Sequence, residues 1–209
     1  MPKIVDRDAR RREIVEAYLR LVARDGMENA TTRSLAAELA VATGALWHYF
    51  TGFDEVLEEA LRTIYAHTNE RIAQHGDLKP GLPSLVAMVM ELLPLHKETQ
   101  DEALVVVNFW GRVTSDRHLG AFESQVEVGW RSLLIEHLND ARAAGDIIAT
   151  VPVESIAELI LVHGLGQQVS YVLQLKTSAP AHQRQLVGAL FRQWITPQAE
   201  QRLAELLAG

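Results

Sequence analysis

The amino-acid sequence predicts an all-α protein, and three observations carry that prediction. Apolar residues recur with a helical period of about 3.6 along almost the whole chain of 209 residues. Alternating runs of β-branched residues between hairpin turns, which would indicate strands, are nearly absent. Gly and Pro fall between the periodic segments, as in 75–83, whose two Gly and two Pro predict a loop.

The first three helices are predicted from their end signals. The first is expected over 6–25 and is followed by Gly26, a residue that commonly ends helices. Thr31 or Thr32 can cap the second helix by accepting a hydrogen bond from a free backbone N–H. Thr43 can cap the third in the same way. These helices form a small unit at 1–52, and the larger helical unit is expected over 53–209.

The second unit begins with a long helix. Asp54 is expected to cap it, because a carboxylate is favourable at a helix N-terminus, and it should end near Gly76. A fifth helix should end near Lys97, with Pro94 ending or kinking it. The remaining helices are expected at about 99–114, 117–144, 150–175 and 181–195, followed by a short one that starts at Thr196-Pro197.

Composition bounds the class of protein. Hydrophobic residues make up 48% and charged residues 22%, as in ordinary globular chains. Cysteine is absent, which excludes disulfides and cysteine-ligated zinc and favours a cytoplasmic location. No secretory signal is visible, and no apolar run reaches the ~20 residues that a membrane span needs. No membrane association is therefore expected.

The net charge of −7 is unevenly distributed. Residues 1–51 carry eight basic and seven acidic residues, whereas the remainder carries 12 basic and 20 acidic ones. Attraction to phosphate is local, so the cluster from Arg10 to Arg12 matters more than the total charge. If the first unit binds DNA, the acidic remainder would confine the DNA to one end of the molecule; the alternative is a solvated charge run.

The segment 31–50 carries the most specific signal in the chain. Leu35 and Leu39 share one face of a short helix, and Leu46 lies on the inner face of a second short helix after a tight turn. The residues at 42–45 are small and leave room for a DNA backbone. This is the layout of a helix-turn-helix, whose second helix enters the major groove.

These residues resemble the DNA-binding domain of TetR-family transcriptional repressors. The resemblance runs from Arg11 to Leu61 and includes Asp25-Gly26, Thr31-Thr32 and the segment 44–50. The resemblance implies a ligand-responsive DNA-binding regulator, a homodimeric repressor that a small-molecule effector releases from a palindromic operator. It implies neither an enzyme nor a cofactor.

The second half of the chain is similar to the same family. The segments 142–147, 153–157 and 163–165 follow its recurring pattern. The arrangement of Trp130, Gly145 and His163-Gly164-Leu165 looks most like the choline-responsive subgroup.

A set of DNA contacts follows from the motif and the resemblance. Arg33 is the best candidate for reading a base, because arginine can donate two hydrogen bonds to guanine. Three positions depart from the family: Ala40 replaces a common Gly, Ala42 a capping Ser or Thr, and Phe53 a phosphate-binding Lys. We therefore expect weaker non-specific DNA binding than in a typical relative. The predicted DNA-binding residues are Arg11, Thr32, Arg33, Thr43, Gly44, Ala45, Trp47, His48 and Tyr49.

A dimer face is expected on the eighth and ninth helices. Two-fold dimers read two half-sites of a palindrome, and in the family these helices form a four-helix bundle. The alternative is that the same face packs within one subunit. The predicted dimerisation residues are Leu161, Gly164, Leu165, Gln168, Leu186, Leu190, Phe191 and Trp194.

An effector cavity is expected among the aromatic residues of the fourth to eighth helices, the alternative being an ordinary core. Trp110 and Trp130 are candidates for walls around a cation, but the nearby Glu123 and Glu127 are both expected to face solvent. The ligand class stays open between a flat apolar compound and an organic cation. The predicted effector-binding residues are Tyr65, Phe109, Trp110, Phe122, Trp130, His163 and Gln167.

Two other classes of function compete with a regulator. An enzyme is disfavoured because no glycine-rich phosphate loop and no HExxH motif occurs, and no histidine pair has the spacing of a helical metal site. No metal is predicted. The second alternative is an all-α module that binds a small molecule or a protein and has weak or no DNA binding.

Overall fold

The computed structural model describes residues 6–113 and 117–208. Within these ranges the regular secondary structure is helical, which confirms the predicted class. The predicted end of the sixth helix at Thr114 lies outside the described residues. Among the described helices, none combines the length and apolar character that crossing a bilayer requires.

Ten α-helices lie in the described ranges. They are α1 (Arg7–Asp25), α2 (Thr32–Glu38), α3 (Thr43–Leu46), α4 (Phe53–Gln74), α5 (Leu82–Glu91), α6 (Lys97–Val113), α7 (Arg117–Ala143), α8 (Val153–Val172), α9 (Pro180–Phe191) and α10 (Glu200–Ala208). Short 3₁₀ turns occur at Met27–Asn29, Lys176–Ser178 and Pro197–Ala199.

Helices α1 to α3 form the part of the molecule that we call the head. The Asp6 side chain caps α1 by accepting from two backbone N–H groups, and Gly26 ends the helix at a φ of 80°, which favours glycine. Thr31 caps α2 in a reciprocal capping box with Ser34. The core of the head includes Tyr18, and it continues into α4 and α6.

Helices α5 and α7 to α10 surround a second core, and we call this part the body. Trp130 on α7 packs against both cores. Helix α4 starts in the head and packs against α5 and α6 farther along. The predicted domain boundary at 52/53 falls at the start of α4. The first half of α4 packs into the core of the head. The division into two domains stays a prediction.

Two predicted helix caps are wrong. The N-cap of α3 is Ala42, which gives no side-chain hydrogen bond, and Thr43 is already inside the helix. The N-cap of α4 is Gly52, and Asp54 lies in the first turn instead. A carboxylate in the first turn still interacts favourably with the helix dipole.

Two helices end earlier than predicted. Helix α5 stops at Glu91, because the residue before Pro94 is disfavoured in the helical conformation. Helix α9 stops at Phe191, and the chain then pairs with the segment before α8. There the backbone carbonyl oxygen of Trp194 accepts a hydrogen bond from the backbone N–H of Ile148 at 2.9 Å. The chain after α9 thus forms a short antiparallel bridge with the segment before α8 instead of continuing the helix.

Candidate DNA interface and effector cavity

The head presents the predicted helix-turn-helix. Leu35 and Leu46 are buried and hold α2 against α3. Between the two helices Ala40 has a φ of 52°, a left-handed conformation that is favourable for glycine and strained for alanine. The turn therefore keeps the family geometry without the family glycine.

Two of the predicted DNA contacts on α2 are free to bind. Arg33 is exposed and forms no ion pair or hydrogen bond with any residue in the described ranges. The capping role belongs to Thr31, which leaves the Thr32 hydroxyl without a partner in the same ranges. Both side chains can meet a phosphate or a base without breaking an internal contact.

The aromatic residues after α3 divide into exposed and packed ones. Trp47 is 39% exposed, and His48 is also exposed. Tyr49 is half-buried against the core of the head, and Phe50 is buried in it. Thr43 and Gly44 are exposed at the leading end of α3, and Ala45 is half-buried. Their contacts with DNA stay predictions.

Arg11 is the exception among the predicted DNA contacts. Its guanidinium donates to the Tyr49 carbonyl oxygen, forms an ion pair with Glu55 at 2.8 Å and stacks over the Phe50 ring. A second ion pair reaches Glu59 at 3.4 Å. Arg11 therefore joins α1, the end of the segment 43–50, which we call the recognition segment, and α4. Its contact with DNA stays a prediction.

The neighbouring Arg12 makes no such contacts within the described residues. Arg12 is exposed and has no ion pair within the described part of the chain. The sequence signal was the run of arginines from Arg10 to Arg12. It could not say which member faces inward, because that depends on how α1 rotates against α4.

Position 53 is also a packing position. The Phe53 ring meets Tyr18 edge to face, with ring centroids 5.5 Å apart. This contact fixes the start of α4 on α1. The residue that replaces the family lysine thus strengthens the core of the head rather than contacting phosphate.

A cavity of about 390 Å³ lies between α4, α6, α7 and α8. Three of the predicted effector residues line it: Tyr65, Trp110 and Trp130. The Tyr65 and Trp130 rings meet edge to face, with centroids 5.2 Å apart. Trp130 also donates its indole N–H to Asn69 on α4 at 2.7 Å.

Glu123 lies inside this aromatic cavity. Its two carboxylate oxygens accept separate hydrogen bonds, one from the Tyr65 hydroxyl at 2.6 Å and one from the Trp110 indole N–H at 2.9 Å. Burial, followed by the charge of Glu123, raises the pKa of Tyr65. The expectation that Glu123 faces solvent is wrong, because two aromatic donors on α4 and α6 hold it inward.

Two other carboxylates line the cavity. Glu127 is exposed on α7, and Glu158 on α8 forms an ion pair with Arg131 at 2.9 Å. No lysine, arginine or histidine of the described chain lines the cavity. The site is therefore aromatic and acidic.

Four predicted effector residues lie outside the cavity lining. Phe109 is fully buried in the core of the head, and Phe122 packs on Tyr65 while Arg62 covers its ring at 4.1 Å. Burial lowers the pKa of His163, and Gln167 is also buried. Sequence spacing does not show which face of a helix meets the cavity, and a role of these four residues in effector binding stays a prediction.

Helix α8 is apolar on more than one face. Its inner side lines the cavity with Leu161, Gly164 and Gln168, all predicted to face a second subunit. Gln168 is held there by donating to the Leu92 carbonyl oxygen at 3.3 Å. Contact of these three residues with a second subunit stays a prediction.

The outer side of α8 carries unusually exposed apolar residues. Val162 is 63% exposed and Leu173 is 62% exposed. Together with Leu159 and Leu165 they form what we call the α8 stripe. Of the predicted dimer residues only Leu165 belongs to the stripe. The exposed apolar face of α8 is therefore rotated by about one residue from the face that the sequence predicted. Val162 and Leu165 also line the rim of the cavity.

The predicted dimer residues on α9 and just after it form two groups, one half-buried and one buried. Leu186 and Leu190 are half-buried, and their role stays a prediction. Phe191 and Trp194 are buried in the second core, where their rings lie 4.4 Å apart. Their burial leaves little surface for contact with a second subunit, and their role in a dimer stays a prediction.

Two family models match this chain. Residues 14–60 match the model of bacterial regulatory proteins of the tetR family, and residues 83–196 match the model of the C-terminal domain of BetI-type transcriptional repressors. The first match covers the head and the start of α4. The second covers α5 to α9 and the part of the cavity lining that α6, α7 and α8 contribute.

Named relatives are transcriptional regulators. The chain is 36% identical over 101 residues to the HTH-type transcriptional regulator PksA of Bacillus subtilis, covering 47% of this chain and 49% of that protein. It is 30% identical over 127 residues to the HTH-type transcriptional regulator BetI of Burkholderia ambifaria, covering 57% and 62%. The matched region thus spans about half to three fifths of these relatives.

The fold resembles a transcriptional regulator from Saccharomonospora viridis that was solved in complex with choline. The TM-score is 0.82 at 19% identity, and the match covers 90% of this chain and 99% of the other. At this identity the likeness concerns the fold.

Proposed function

The chain belongs to the TetR family of bacterial transcriptional regulators and has a BetI-type C-terminal domain, and from this premise we propose that it is a homodimeric repressor released from DNA by an organic cation. Ligand-responsive DNA binding is the general behaviour of this family. The proteins that it resembles are named as regulators rather than enzymes. The cytoplasm, where a bacterial regulator meets DNA, is the proposed site of action.

One observation carries the choice of effector: Glu123 lies among Tyr65, Trp110 and Trp130 in a cavity that three carboxylates line. A cation over an aromatic face within about 6 Å is stabilised by roughly 0.5–2 kcal/mol. The carboxylates add to this attraction and disfavour an organic anion. A choline-class quaternary ammonium compound has the chemistry that this cavity favours, and the choline-bound relative supports the same class.

Release from DNA requires that the effector bind one conformation of the protein better than the other. Glu123 links the cavity to α4 through Tyr65, and Asn69 links α4 to Trp130. A cation that draws Glu123 toward itself weakens the bond to Tyr65. Helix α4 then shifts, and Arg11 carries that shift to the recognition segment.

The α8 stripe supports the homodimer. Its four leucine and valine side chains are each at least 45% exposed in a single chain, and contiguous exposed apolar surface marks an interaction site. A second copy covers such a stripe by two-fold symmetry. Two heads would then face two half-sites of a palindromic operator.

The deciding experiment is a mobility-shift titration of the purified protein on DNA upstream of its own gene, at two salt concentrations. We expect a discrete, salt-sensitive complex that tetramethylammonium chloride dissociates more strongly than sodium chloride at equal ionic strength. Release by a flat neutral aromatic compound and not by tetramethylammonium would assign the cavity to apolar ligands. The absence of any complex, also after unfolding and refolding to remove a bound ligand, would favour the non-DNA module.

A further inference from the structure

A second cluster of charged residues lies at the junction of head and body, away from the effector cavity. His67 extends from α4, and Glu98 and Glu102 lie one turn apart on α6. One nitrogen of His67 and one oxygen of each glutamate lie within 4.8 Å of one another. These groups are not part of the proposed effector site.

We propose that His67, Glu98 and Glu102 bind a divalent transition-metal ion such as Zn²⁺ and that the bound ion joins α4 to α6. One imidazole and two carboxylates are ligands that zinc accepts, and three protein ligands leave a position for water. The sequence predicts no such site because its ligands come from two helices and about 30 residues separate them.

The geometry needs a small adjustment to hold an ion. Metal–ligand bonds of about 2.0–2.2 Å place neighbouring ligand atoms roughly 3.3 Å apart. Glu98 can supply that movement, since its side chain is 57% exposed. Its Oε2 atom accepts no hydrogen bond from any residue in 6–113 or 117–208, and the same holds for both ring nitrogens of His67.

The surrounding charge favours a divalent cation. Arg71 forms ion pairs with Glu91, Glu98 and Glu102, at 3.0, 3.2 and 2.7 Å. One guanidinium therefore meets three carboxylates, of which Glu91 also contacts His75 at 3.0 Å. The single charge of Arg71 cannot balance Glu98 and Glu102 together. Both oxygens of Glu102 accept hydrogen bonds from Arg71, at 3.0 and 2.7 Å, so a Zn²⁺ ion would share this carboxylate with Arg71 and balance the remaining negative charge.

There is room for the ion and its water ligand. A cleft of about 220 Å³ borders the cluster, and its opposite wall is Leu19, Arg20 and Ala23 on α1. Arg20 is 58% exposed and forms an ion pair with Glu16, so its charge is directed along α1. The cleft thus opens between the head and the two helices that the ion would join.

The proposal is tested on the full chain without a histidine tag. Titration with Co²⁺, followed by its visible absorption bands, reports ligand binding directly, and Zn²⁺ should displace Co²⁺. We expect one saturable site per chain and a higher unfolding temperature in Zn²⁺. His67→Ala and Glu98→Gln should each weaken binding by about 10- to 100-fold or more, because loss of even an outer-shell partner has an effect of that size.

Matched variants make the result specific. His96→Ala removes another exposed histidine, whose side chain has no hydrogen bond in the described ranges, and it should bind Co²⁺ like the parent chain. Glu98→Gln changes an exposed side chain and should keep the fold, as circular dichroism would check. Absence of saturable Co²⁺ binding, or equal binding by the parent and His67→Ala, would overturn the proposal.

Discussion

Tyr65 on α4 and Glu123 on α7 are joined by a hydrogen bond of 2.6 Å that the tyrosine hydroxyl donates. A tyrosine hydroxyl is protonated at neutral pH, and the raised pKa of Tyr65 extends that range to higher pH, so the hydroxyl remains a donor. The bond is therefore charge-assisted and among the stronger kinds of hydrogen bond. An effector cation of the proposed kind would have to compete with it, so Glu123 is the residue at which the proposed ligand binding would act on α4.

Glu123→Gln should lower sensitivity to an organic cation. Glutamine keeps the size of the side chain and removes the charge, and a charge pair at about 4 Å contributes roughly 1–4 kcal/mol. We expect the tetramethylammonium concentration that releases DNA to rise at least about tenfold. Glu154→Gln, an exposed change in the first turn of α8, is the control. Equal sensitivity of Glu123→Gln and the parent would refute the role of this carboxylate.

Arg33→Glu should abolish operator binding. The substitution removes a base contact that is worth about 1–3 kcal/mol and adds repulsion from phosphate, so we expect affinity to fall by about 100-fold or more. Mobility shift measures it. Arg142→Glu makes the same charge change in the body, where Arg142 contacts Asn139, and should bind normally. A parent and an Arg33→Glu variant with equal affinity would place the DNA surface elsewhere.

Phe53→Lys should strengthen non-specific DNA binding while weakening the head. One added phosphate contact makes the slope of log affinity against log salt steeper by about 0.9. Loss of the edge-to-face contact with Tyr18 should reduce the free energy of unfolding by about 0.5–1.5 kcal/mol. Phe53→Leu separates the two effects, because it loses the ring without adding charge. An unchanged salt slope in Phe53→Lys would show that position 53 lies away from the DNA.

Ala40→Gly should stabilise the protein. Relief of the left-handed backbone outweighs the entropy of the added glycine, so we expect the free energy of unfolding to rise by about 0.5–1 kcal/mol. Denaturant titration measures the change. Ala37→Gly, at an exposed position inside α2, should instead lower it by about 1 kcal/mol. If both substitutions destabilise equally, the turn does not strain Ala40.

Val162→Glu should separate the dimer. It introduces a charge at the most exposed residue of the α8 stripe, and two-fold symmetry would bring two such charges close together. Sedimentation equilibrium should show a monomer with unchanged helical content. Ile148→Glu alters an apolar residue that is 41% exposed outside the stripe and should remain dimeric. A Val162→Glu dimer as stable as the parent would exclude the stripe as the interface.

The sequence predicted the helical fold and the helix-turn-helix well because both depend on local patterns. Gly26 and Thr31 mark helix ends through their own backbone preferences and hydrogen bonds, so their roles are readable without tertiary contacts. Thr43 and Asp54 failed as caps because a neighbouring residue took the N-cap position. Such one-residue shifts depend on how the turn packs.

The site residues were harder to predict because they depend on helix rotation. Glu123 shows no sign in the sequence that two aromatic donors will hold it inward. The position of Leu161 and Gly164 beside the cavity could not be predicted, because α8 is apolar on both sides and therefore lacks an amphipathic signal. The intramolecular contacts of Arg11 could not be predicted either, because its partner Glu55 lies 44 residues away in the sequence.

The Arg11 contacts join α4 to the recognition segment, so the two are expected to move as one rigid unit. Helix α4 has 22 residues and is therefore about 33 Å long. A tilt of about 6° around its far end displaces the near end by roughly 3.4 Å, the rise of one base pair. In the proposed homodimer, two heads that move in this way in opposite directions would shift by about two base pairs relative to each other. A displacement of well under 1 Å per turn of α4 would then be enough to lose the register of the two half-sites.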